Sequence, residues 1–586
     1  MATTTKLGTS VSTDDTLSLH EEEDGYMVDP EEETLAHFKP IMSKEKGERD
    51  SYLDTIKTTL LNWSTRGDQK SRDLLASHLP TVLRLSLSCP FEDVRASLKA
   101  LLQTIDNEAV LVPRPVFEGP SSFMSVKDVA GYHESSKPVT HELQQLYENA
   151  FLRDARLSNI VQCLSDHPQY LDLFIQTMDF IMNGDGPLNQ DVRCYIAILA
   201  SSRHRCSYLV TYLEMEFRAK GGNVLWLKGI SHIPTKISNL LILNKMLCHQ
   251  PWYISQTHFQ ELLVGPDSWS VAELVHAVVI MAFFHALAGF CLGCGLNPEI
   301  DTELGHTVSD QSEIVPSHFT NPALGVGGTG SDSEPSSEAM SPACSPPNEQ
   351  VSKYLVEHYI ETSKLTDTRK LDDTIKEKLA AVSQEEDETE EIDNDRQFAE
   401  SVSSFGLEKI HSRSVPTPVN LLRYITDPSY EHEDFTLASA CTLRAREYSW
   451  EDHGFSFLNS LYPLLSELLD EKFKVASEMT YRHVGATKDI DTKPFREATW
   501  YYIQSIKGIR HDDYNYGKVN KVLSIEYKTY IRMVACFPEK VSLYDFRECM
   551  DGLQFSEKVH VNVLVMEARL QAELIYSLKA LMSHMK

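Results

Sequence analysis

The feature that most constrains the fold is a long apolar run between Ser270 and Gly295, SVAELVHAVVIMAFFHALAGFCLGCG. As a helix it is long enough to cross a bilayer, because about 20 apolar residues span the hydrocarbon core. Glu273, His276 and His285 interrupt the run, and ionisable side chains are costly in lipid. Ser270 and Glu273 also form the capping-box pattern of a helix start. The run therefore predicts a buried helix of a soluble helical bundle, without membrane insertion.

Helical spacing recurs on both sides of this run. Apolar residues repeat at three and four positions in SYLDTIKTTLLNWS, before it, and in VHVNVLVMEARLQAELIYSLKALMSHM, at the end of the chain. The sequence shows no strong polar–apolar alternation of the kind that indicates strands. We therefore predict an all-α protein with two helical halves that pack together.

Composition divides the chain into five parts. Residues 1–33 are acidic and poor in large apolar side chains, so we predict a disordered N-terminus. Residues 34–140 are predicted as a helical extension and connector, and 141–305 as an N-terminal helical domain. Residues 306–412 have the composition of a long disordered linker with a short helical island. Residues 413–586 are predicted as a C-terminal helical domain.

The net charge of −30 argues against a nucleic-acid partner, which requires a positive surface. Residues 1–33 hold ten acids and one lysine, and residues 384–395 hold eight acids and no base, which together give −17. The folded parts are therefore only mildly acidic. The eleven cysteines lack the spacing of a disulfide framework, and the N-terminus lacks the apolar core of a signal peptide. We expect an intracellular protein in a reducing compartment, the cytoplasm or the nucleus.

Two cysteines, Cys291 and Cys294, have the C-x-x-C spacing of metal and redox sites. A zinc site needs about four ligands, commonly from a second such pair, and no second pair is present. Packing at a helix end, beside Gly295, is the favoured interpretation. The sequence predicts no metal ion and no cofactor.

A second cysteine, Cys206, lies in RHRCSYLV, directly after Arg203, His204 and Arg205. Cations and helix N-termini favour the reactive thiolate. The same cysteine also fits an apolar helical stripe with Leu213, which would make it a structural core residue. Composition alone leaves both interpretations open and favours the structural one.

Two features of the last 100 residues are candidate binding elements. Asp512 and Asp513 are adjacent in HDDYNYGKVN and predict an exposed acidic turn, either inert or a docking surface. In DTKPFREATW, Thr492 is a predicted helix cap and Pro494 lies in the first turn. Arg496 then lies near a helix start, where the dipole disfavours a cation unless the cation meets an anion there.

Longer stretches carry a family resemblance. The strings ASSRHRCSYLV, HPQYLDLFIQTMDFIMNGDGPL, SWSVAELVHAVV, WEDHGFSFLNSLYP, GIRHDDYNYGKVN and SEKVHVNVLVMEARLQAELIYSLKA resemble the sestrins over about residues 141–300 and 415–586. The resemblance implies two related helical halves, each similar to the alkylhydroperoxidase D and carboxymuconolactone decarboxylase bundles. It implies a leucine sensor that restrains target-of-rapamycin signalling through the GATOR subcomplex in nutrient and stress responses. It also implies a hydroperoxide-reducing activity in the N-terminal half, which stays open as the alternative function.

The implied peroxidase site consists of a cysteine, a tyrosine two residues on, and a histidine seven residues after the cysteine. Cys206 and Tyr208 match, but the third position is Leu213. A thiol peroxidase needs a proton relay to the leaving alkoxide, so the loss of this imidazole argues against efficient catalysis. His204 is a substitute only if the fold presents it to the sulfur.

The implied leucine site falls in the C-terminal half. Glu557 matches the partner of the ligand's ammonium group and Arg496 the partner of its carboxylate, for which a planar guanidinium is well suited. Thr480 and Thr492 match two threonines of a lid, and the third position is His483.

Further matches complete the resemblance. Tyr481 and His167 match the ligand site as well. Phe495, Leu553 and Met550 stand where the family has Leu, Phe and Trp, so we expect weaker leucine binding or another preference among apolar amino acids. The pair Asp512 and Asp513 matches the acidic pair that sestrins use to hold the GATOR subcomplex.

Overall fold

The structure is a computed structural model that describes residues 41–106, 110–132, 135–308, 378–379, 394–402, 407–415, 418–479 and 482–585. The predicted disordered segment 1–33 lies outside the described residues. Most of the predicted linker, its helical island and its acidic run also lie outside them, as do Thr480 and Tyr481.

The described chain is all-α, as the sequence predicts. The helices up to residue 308 are α1 Lys46–Arg66, α2 Gln69–Ser88, α3 Glu92–Asp106, α4 His141–Asp154, α5 Asn159–Cys163, α6 Pro168–Asn183, α7 Gln190–Arg203, α8 Ser207–Ala219, α9 Thr235–Ser238, α10 Leu240–His249, α11 Gln256–Leu263 and α12 Val271–Gly293. Those after it are α13 Asn394–Ser401, α14 Leu407–His411, α15 Val419–Leu422, α16 Phe455–Leu461, α17 Pro463–Glu478, α18 Lys493–Ile506, α19 Gly517–Val522, α20 Ile525–Cys536, α21 Leu543–Glu548 and α22 Phe555–Met585.

Short strands pair within the loops. They are β1 Arg114–Pro115, β2 His306–Thr307, β3 Leu443–Arg444, β4 His483–Val484, β5 Thr487–Lys488 and β6 Ile509–Arg510. Strand β1 pairs antiparallel with β2, β3 parallel with β6, and β4 antiparallel with β5. The β4–β5 hairpin is the one that matters for the site described below.

Helices α12 and α22 pack against each other at the centre of the molecule. The predicted capping box of α12 is present: the Ser270 backbone N–H donates to Glu273 Oε2 at 2.8 Å, and the Glu273 N–H donates to Ser270 Oγ at 3.2 Å. Among the described residues, α12 is the one helix long and apolar enough to cross a membrane, and its apolar stretch is buried in the protein. This agrees with the predicted buried helix.

The two halves share one core. A continuous cluster of buried side chains extends from α1 (Leu60) through α12 (Leu287) to α22 (Leu574). The N-terminal extension is also fixed by charge, because Arg84 of α2 donates to Asp301 at 2.8 Å and Arg156 donates to the same carboxylate at 3.1 Å. The extension is therefore an integral part of the fold.

Part of the predicted linker is folded. Helices α13 and α14 lie inside the range 306–412, and Phe398 and Ile410 are buried in a second core cluster, together with Leu379. Linker-like composition followed by an acidic run predicted a linker up to residue 412, whereas the apolar side chains after the acidic run pack on the C-terminal half. The folded C-terminal part thus begins before the predicted boundary at 413.

Candidate functional site

The C-terminal half contains a cavity of about 360 Å³. Helices α18, α20, α21 and α22 and the β4–β5 hairpin surround it. Its polar lining includes His483, Thr492, Arg496, Glu557 and His560. The structure thus brings Arg496, Glu557 and Thr492, which the sequence analysis selected, to one cavity.

One face of α22 supplies a wall of this cavity. Glu557, His560, Val561 and Leu564 line it, at the three- and four-residue spacing that places side chains on one helix face. His560 Nε2 donates to the Ala476 carbonyl at 2.9 Å, and burial lowers the pKa of His560 to about 3. His560 is therefore a neutral wall residue at physiological pH.

The Glu557 carboxylate is held by backbone N–H groups. Both of its oxygens accept from the Gly485 N–H, at 3.0 and 3.1 Å, and Oε2 accepts from the Gln554 N–H at 2.6 Å. Gly485 lies in the turn of the β4–β5 hairpin with φ +59°, a conformation that favours glycine. Glu557 thereby caps the start of α22 and fixes the hairpin over the cavity.

The guanidinium of Arg496 lies in the first turn of α18. Its Nε donates to Thr492 Oγ1 at 3.2 Å, and its Nη1 donates to the Ser477 carbonyl. Burial lowers the pKa of Arg496, although an arginine stays charged in proteins. Thr492 is the residue before α18, as predicted, but it positions Arg496 instead of capping the helix with its side chain.

The opposite charges of Arg496 and Glu557 match those of a zwitterionic ligand. Arg496 and Glu557 are 7% and 6% exposed, so each would interact with a ligand in a site with little water. Charge-assisted hydrogen bonds are stronger than neutral ones, and screening by solvent is weak where the groups are buried. The arrangement can hold an ammonium group and a carboxylate of one small molecule.

The remaining wall is mainly apolar. Phe495, Tyr527, Met550 and Leu553 line it, and the rings of Phe495 and Tyr527 are 4.9 Å apart between centroids. Met550 is buried and Leu553 is half-buried. Positions 495, 550 and 553, where the apolar residue differs from the sestrin pattern, therefore all contact this cavity.

The other residues selected for the ligand site lie in three different situations. His483, in β4, lines the cavity, and its Nε2 lies 3.7 Å from Glu557 Oε1. Thr480 and Tyr481 lie outside the described residues. His167 is buried behind the site, at the start of α6, where its Nε2 donates to the Ser556 carbonyl at 2.9 Å.

The acidic pair lies apart from the cavity, after β6. Asp513 is exposed, whereas Asp512 is half-buried and forms ion pairs with Arg446 at 3.3 Å and Arg444 at 3.4 Å. Asp512 thus stabilises the turn, and Asp513 is the more exposed carboxylate of the pair.

The side chains that precede Cys206 in the sequence contact other groups. Cys206 is fully buried at the start of α8, and Arg205 before it has a left-handed φ of 55°. His204 points to a different thiol, with its Nε2 3.1 Å from Cys248 Sγ, and burial lowers its pKa well below the usual range. The structure therefore does not present His204 to the Cys206 sulfur as a relay.

The two arginines of RHRCSYLV are also engaged away from the thiol. Arg203 donates to the carbonyls of Thr426 and Tyr430, at 2.7 and 2.6 Å. Arg205 forms an ion pair with Glu431 at 3.2 Å. Both arginines thus join the N-terminal half to the segment between α15 and β3.

The remaining peroxidase positions are packed. The hydroxyl of Tyr208 donates to Glu299 Oε1 at 2.8 Å, and Leu213 is buried. The Cys206 thiol is hydrogen-bonded to Cys291, whose pKa is raised by burial first and by this thiol second. Cys294 is the C-cap of α12, so the C-x-x-C pair lies at a helix end as interpreted from the sequence.

Sequence reasoning missed several residues of the site. His560 and Leu564 had a signal, because they follow Glu557 by three and seven residues on one helix. Gly485 and Ser477 act through backbone atoms, and no side-chain pattern marks such positions. Tyr527 comes from α20, whose approach to α18 is a tertiary contact.

These features define an all-α protein with a charged and apolar cavity in its C-terminal half. A family model described as "PA26 p53-induced protein (sestrin)" matches residues 119–585. The chain therefore belongs to the sestrin family.

Individual relatives agree with the family match. The chain is 36% identical over 479 residues to Sestrin-1 of Xenopus laevis, and the alignment covers 81% of this chain and 94% of that relative. It is 36% identical over 493 residues to Sestrin-3 of Mus musculus, and the alignment covers 82% of this chain and 94% of that relative. It is 35% identical over 475 residues to Sestrin-2 of Homo sapiens, and the alignment covers 80% of this chain and 91% of that relative.

Proposed function

We propose that this protein is an intracellular sensor of a free apolar α-amino acid, with leucine as the reference ligand. The observation that carries the proposal is the placement of Arg496 and Glu557, two buried side chains of opposite charge, on one cavity that also has an apolar wall. Glu557 binds the ammonium group, Arg496 binds the carboxylate, and the apolar wall contacts the side chain.

Hydrogen bonds within the protein orient both charged groups of the proposed clamp, Arg496 and Glu557, and such preorganisation limits the ordering cost of association. Thr492 and the Ser477 carbonyl orient Arg496, and the Gly485 N–H orients Glu557. The same contacts join the ligand to the β4–β5 hairpin and to the start of α22. A bound ligand thus favours one arrangement of these elements over others.

The proposed role is negative regulation of target-of-rapamycin signalling through the GATOR subcomplex, in nutrient and stress responses in the cytoplasm and nucleus. The acidic pair Asp512 and Asp513 is the proposed contact for this partner, and the exposed position of Asp513 supports it. Ligand and partner would act by linkage: each prefers a different conformation, so each weakens binding of the other by the same factor.

Calorimetric titration with leucine, isoleucine and methionine tests the ligand role. Saturable heat with one site per chain is expected, and no heat at millimolar ligand with folded protein would contradict it. Capture of the GATOR subcomplex by the full chain tests the partner role. Asp513→Asn should weaken capture, and the matched change Asp185→Asn in another exposed loop should not.

A further inference from the structure

The volume of the cavity beyond Arg496 and Glu557 indicates the size of the ligand. Cavities that hold drug-sized ligands begin at roughly 300 Å³, and this one measures about 360 Å³. A leucine held by Arg496 and Glu557 is much smaller than such ligands, so part of the apolar wall would lose contact with it. Unfilled apolar space forfeits dispersion and transfer free energy.

The wall also has a distinct chemical character. Phe495 and Tyr527 form a tilted ring pair, with centroids 4.9 Å apart and planes at 48°. Aromatic rings favour such tilted and edge-to-face neighbours, and a third ring extends the cluster. Met550 lines the same space, and a thioether makes favourable contacts with ring edges.

The charged groups of the cavity lining other than the two clamp residues give little selection for a charged ligand side chain. Glu526 and Glu548 lie at the mouth of the cavity and are exposed to solvent, and Asp551 is half-buried. Lys378 lines the same cavity, so its charged lining contains both signs. The two exposed glutamates are hydrated and screened, so they contribute little repulsion for an acidic side chain and little attraction for a basic one.

We propose that the preferred ligand is an α-amino acid with an aromatic side chain, of which phenylalanine is the simplest. This inference rests on the proposed amino-acid-binding function of the same site. The ammonium and carboxylate groups occupy the clamp of Glu557 and Arg496. The ligand ring fills the part of the cavity lined by Phe495, Tyr527, Met550 and Leu553.

Calorimetric titration of the full chain with phenylalanine, leucine, methionine and lysine tests this proposal. An apolar ligand that leaves part of its pocket unfilled binds about tenfold or more weakly than one that fills it. Phenylalanine should therefore bind at least about tenfold more tightly than leucine. Leucine or lysine binding more tightly than phenylalanine would overturn the aromatic preference and leave the sensor proposal standing. Absence of heat from every amino acid would overturn both.

A variant that fills the cavity sharpens the test. Leu553→Phe places a larger side chain in the cavity that Leu553 lines, and it should lower phenylalanine affinity by about tenfold while leucine affinity is kept or raised. The matched control is Leu464→Phe, the same change at a position that is 53% exposed on α17. Equal effects of Leu553→Phe on both ligands, with the control silent, would overturn the assignment of this space to the ligand ring.

Discussion

His167 Nε2 donates a hydrogen bond of 2.9 Å to the backbone carbonyl of Ser556. This contact joins the N-terminal half of the chain to the first turn of α22, one residue before Glu557. Burial lowers the pKa of His167 to about 4, so the imidazole is neutral and its single N–H is committed to this carbonyl. The candidate site of the C-terminal half is therefore supported by a side chain from the other half.

Removal of this support should weaken ligand binding. His167→Ala deletes one buried hydrogen bond, worth about 1 kcal/mol, and loosens the start of α22. Amino-acid affinity measured by calorimetry should fall about fivefold, since 1.4 kcal/mol corresponds to tenfold.

His276→Ala is the matched control for this variant. It removes an equally buried histidine whose Nε2 donates to the Ile181 carbonyl at 2.9 Å and which does not line the cavity. It should lower stability without changing affinity. Equal loss of affinity in both variants would contradict a specific role of His167.

The buried histidines should make the fold sensitive to mild acid. Burial lowers the pKa values of His167 and His276 to about 4, below the value of about 6.5 in the unfolded chain. The unfolded state therefore binds protons first, and stability is complete above about pH 6.5 and falls as the pH drops towards 4. Each such histidine contributes a slope of about 1.4 kcal/mol per pH unit in this window.

Urea unfolding at pH 7, 6 and 5 measures this slope. His276→Ala should be less stable at pH 7 and should lose less stability than the wild type on acidification. An unchanged difference between wild type and His276→Ala from pH 7 to pH 5 would refute the assignment of this proton uptake to His276.

A buried ion pair should show strong coupling. Lys472 of α17 lies 3.0 Å from Glu567 of α22, both side chains are fully buried, and Tyr170 donates to the same carboxylate. Burial lowers the pKa of Lys472, and the attraction of Glu567 opposes this shift. Lys472→Met leaves an uncompensated carboxylate and should cost about 3–5 kcal/mol in urea unfolding.

The double variant Lys472→Met/Glu567→Gln tests whether the loss comes from the charge. Glutamine keeps an acceptor for the Tyr170 hydroxyl, so most of the stability lost in the single variant should return. A double variant as unstable as the single one would show that shape, not charge, dominates at this position.

How much the sequence predicted can be judged from individual residues. Ser270 and Glu273 were recognisable because a capping box is local, and α12 begins where they place it. Glu557 and Arg496 were found through resemblance, and their meeting in one cavity depends on packing between α18 and α22. The N–H donor from Gly485 lies 72 residues from Glu557 and has no side chain that could signal it.

At Cys206 the local sequence pattern suggested contacts that the fold does not form. Its neighbours in sequence looked like activators, yet neighbours along the chain point in different directions when the backbone turns. The left-handed φ of Arg205 lies at such a turn, and His204 consequently contacts Cys248. The local pattern was real, but the contacts that decide reactivity are tertiary.

Cys206 should therefore contribute little to peroxide chemistry. With Leu213 at the relay position and His204 directed to Cys248, wild type and Cys206→Ser should consume hydrogen peroxide and an alkyl hydroperoxide at equal rates under a thiol reductant. Catalytic turnover in the wild type that disappears in Cys206→Ser would establish the alternative peroxidase function.

Glu557 and Arg496 are the two proposed contacts for the charged groups of a free amino acid. The variant Glu557→Gln removes the charge but keeps a side chain suited to this position of a capping box, so the start of α22 should stay intact. Loss of a charge-assisted contact of about 1.5–3 kcal/mol predicts a drop in affinity of about tenfold to 150-fold.

The decisive measurement is calorimetric titration of phenylalanine and leucine into wild type and Glu557→Gln, with unfolding curves recorded for both proteins. The predicted result is one saturable site in the wild type and at least about tenfold weaker binding in the equally folded variant. Amino-acid binding that is unchanged by Glu557→Gln, or absent from the folded wild type, would contradict the account.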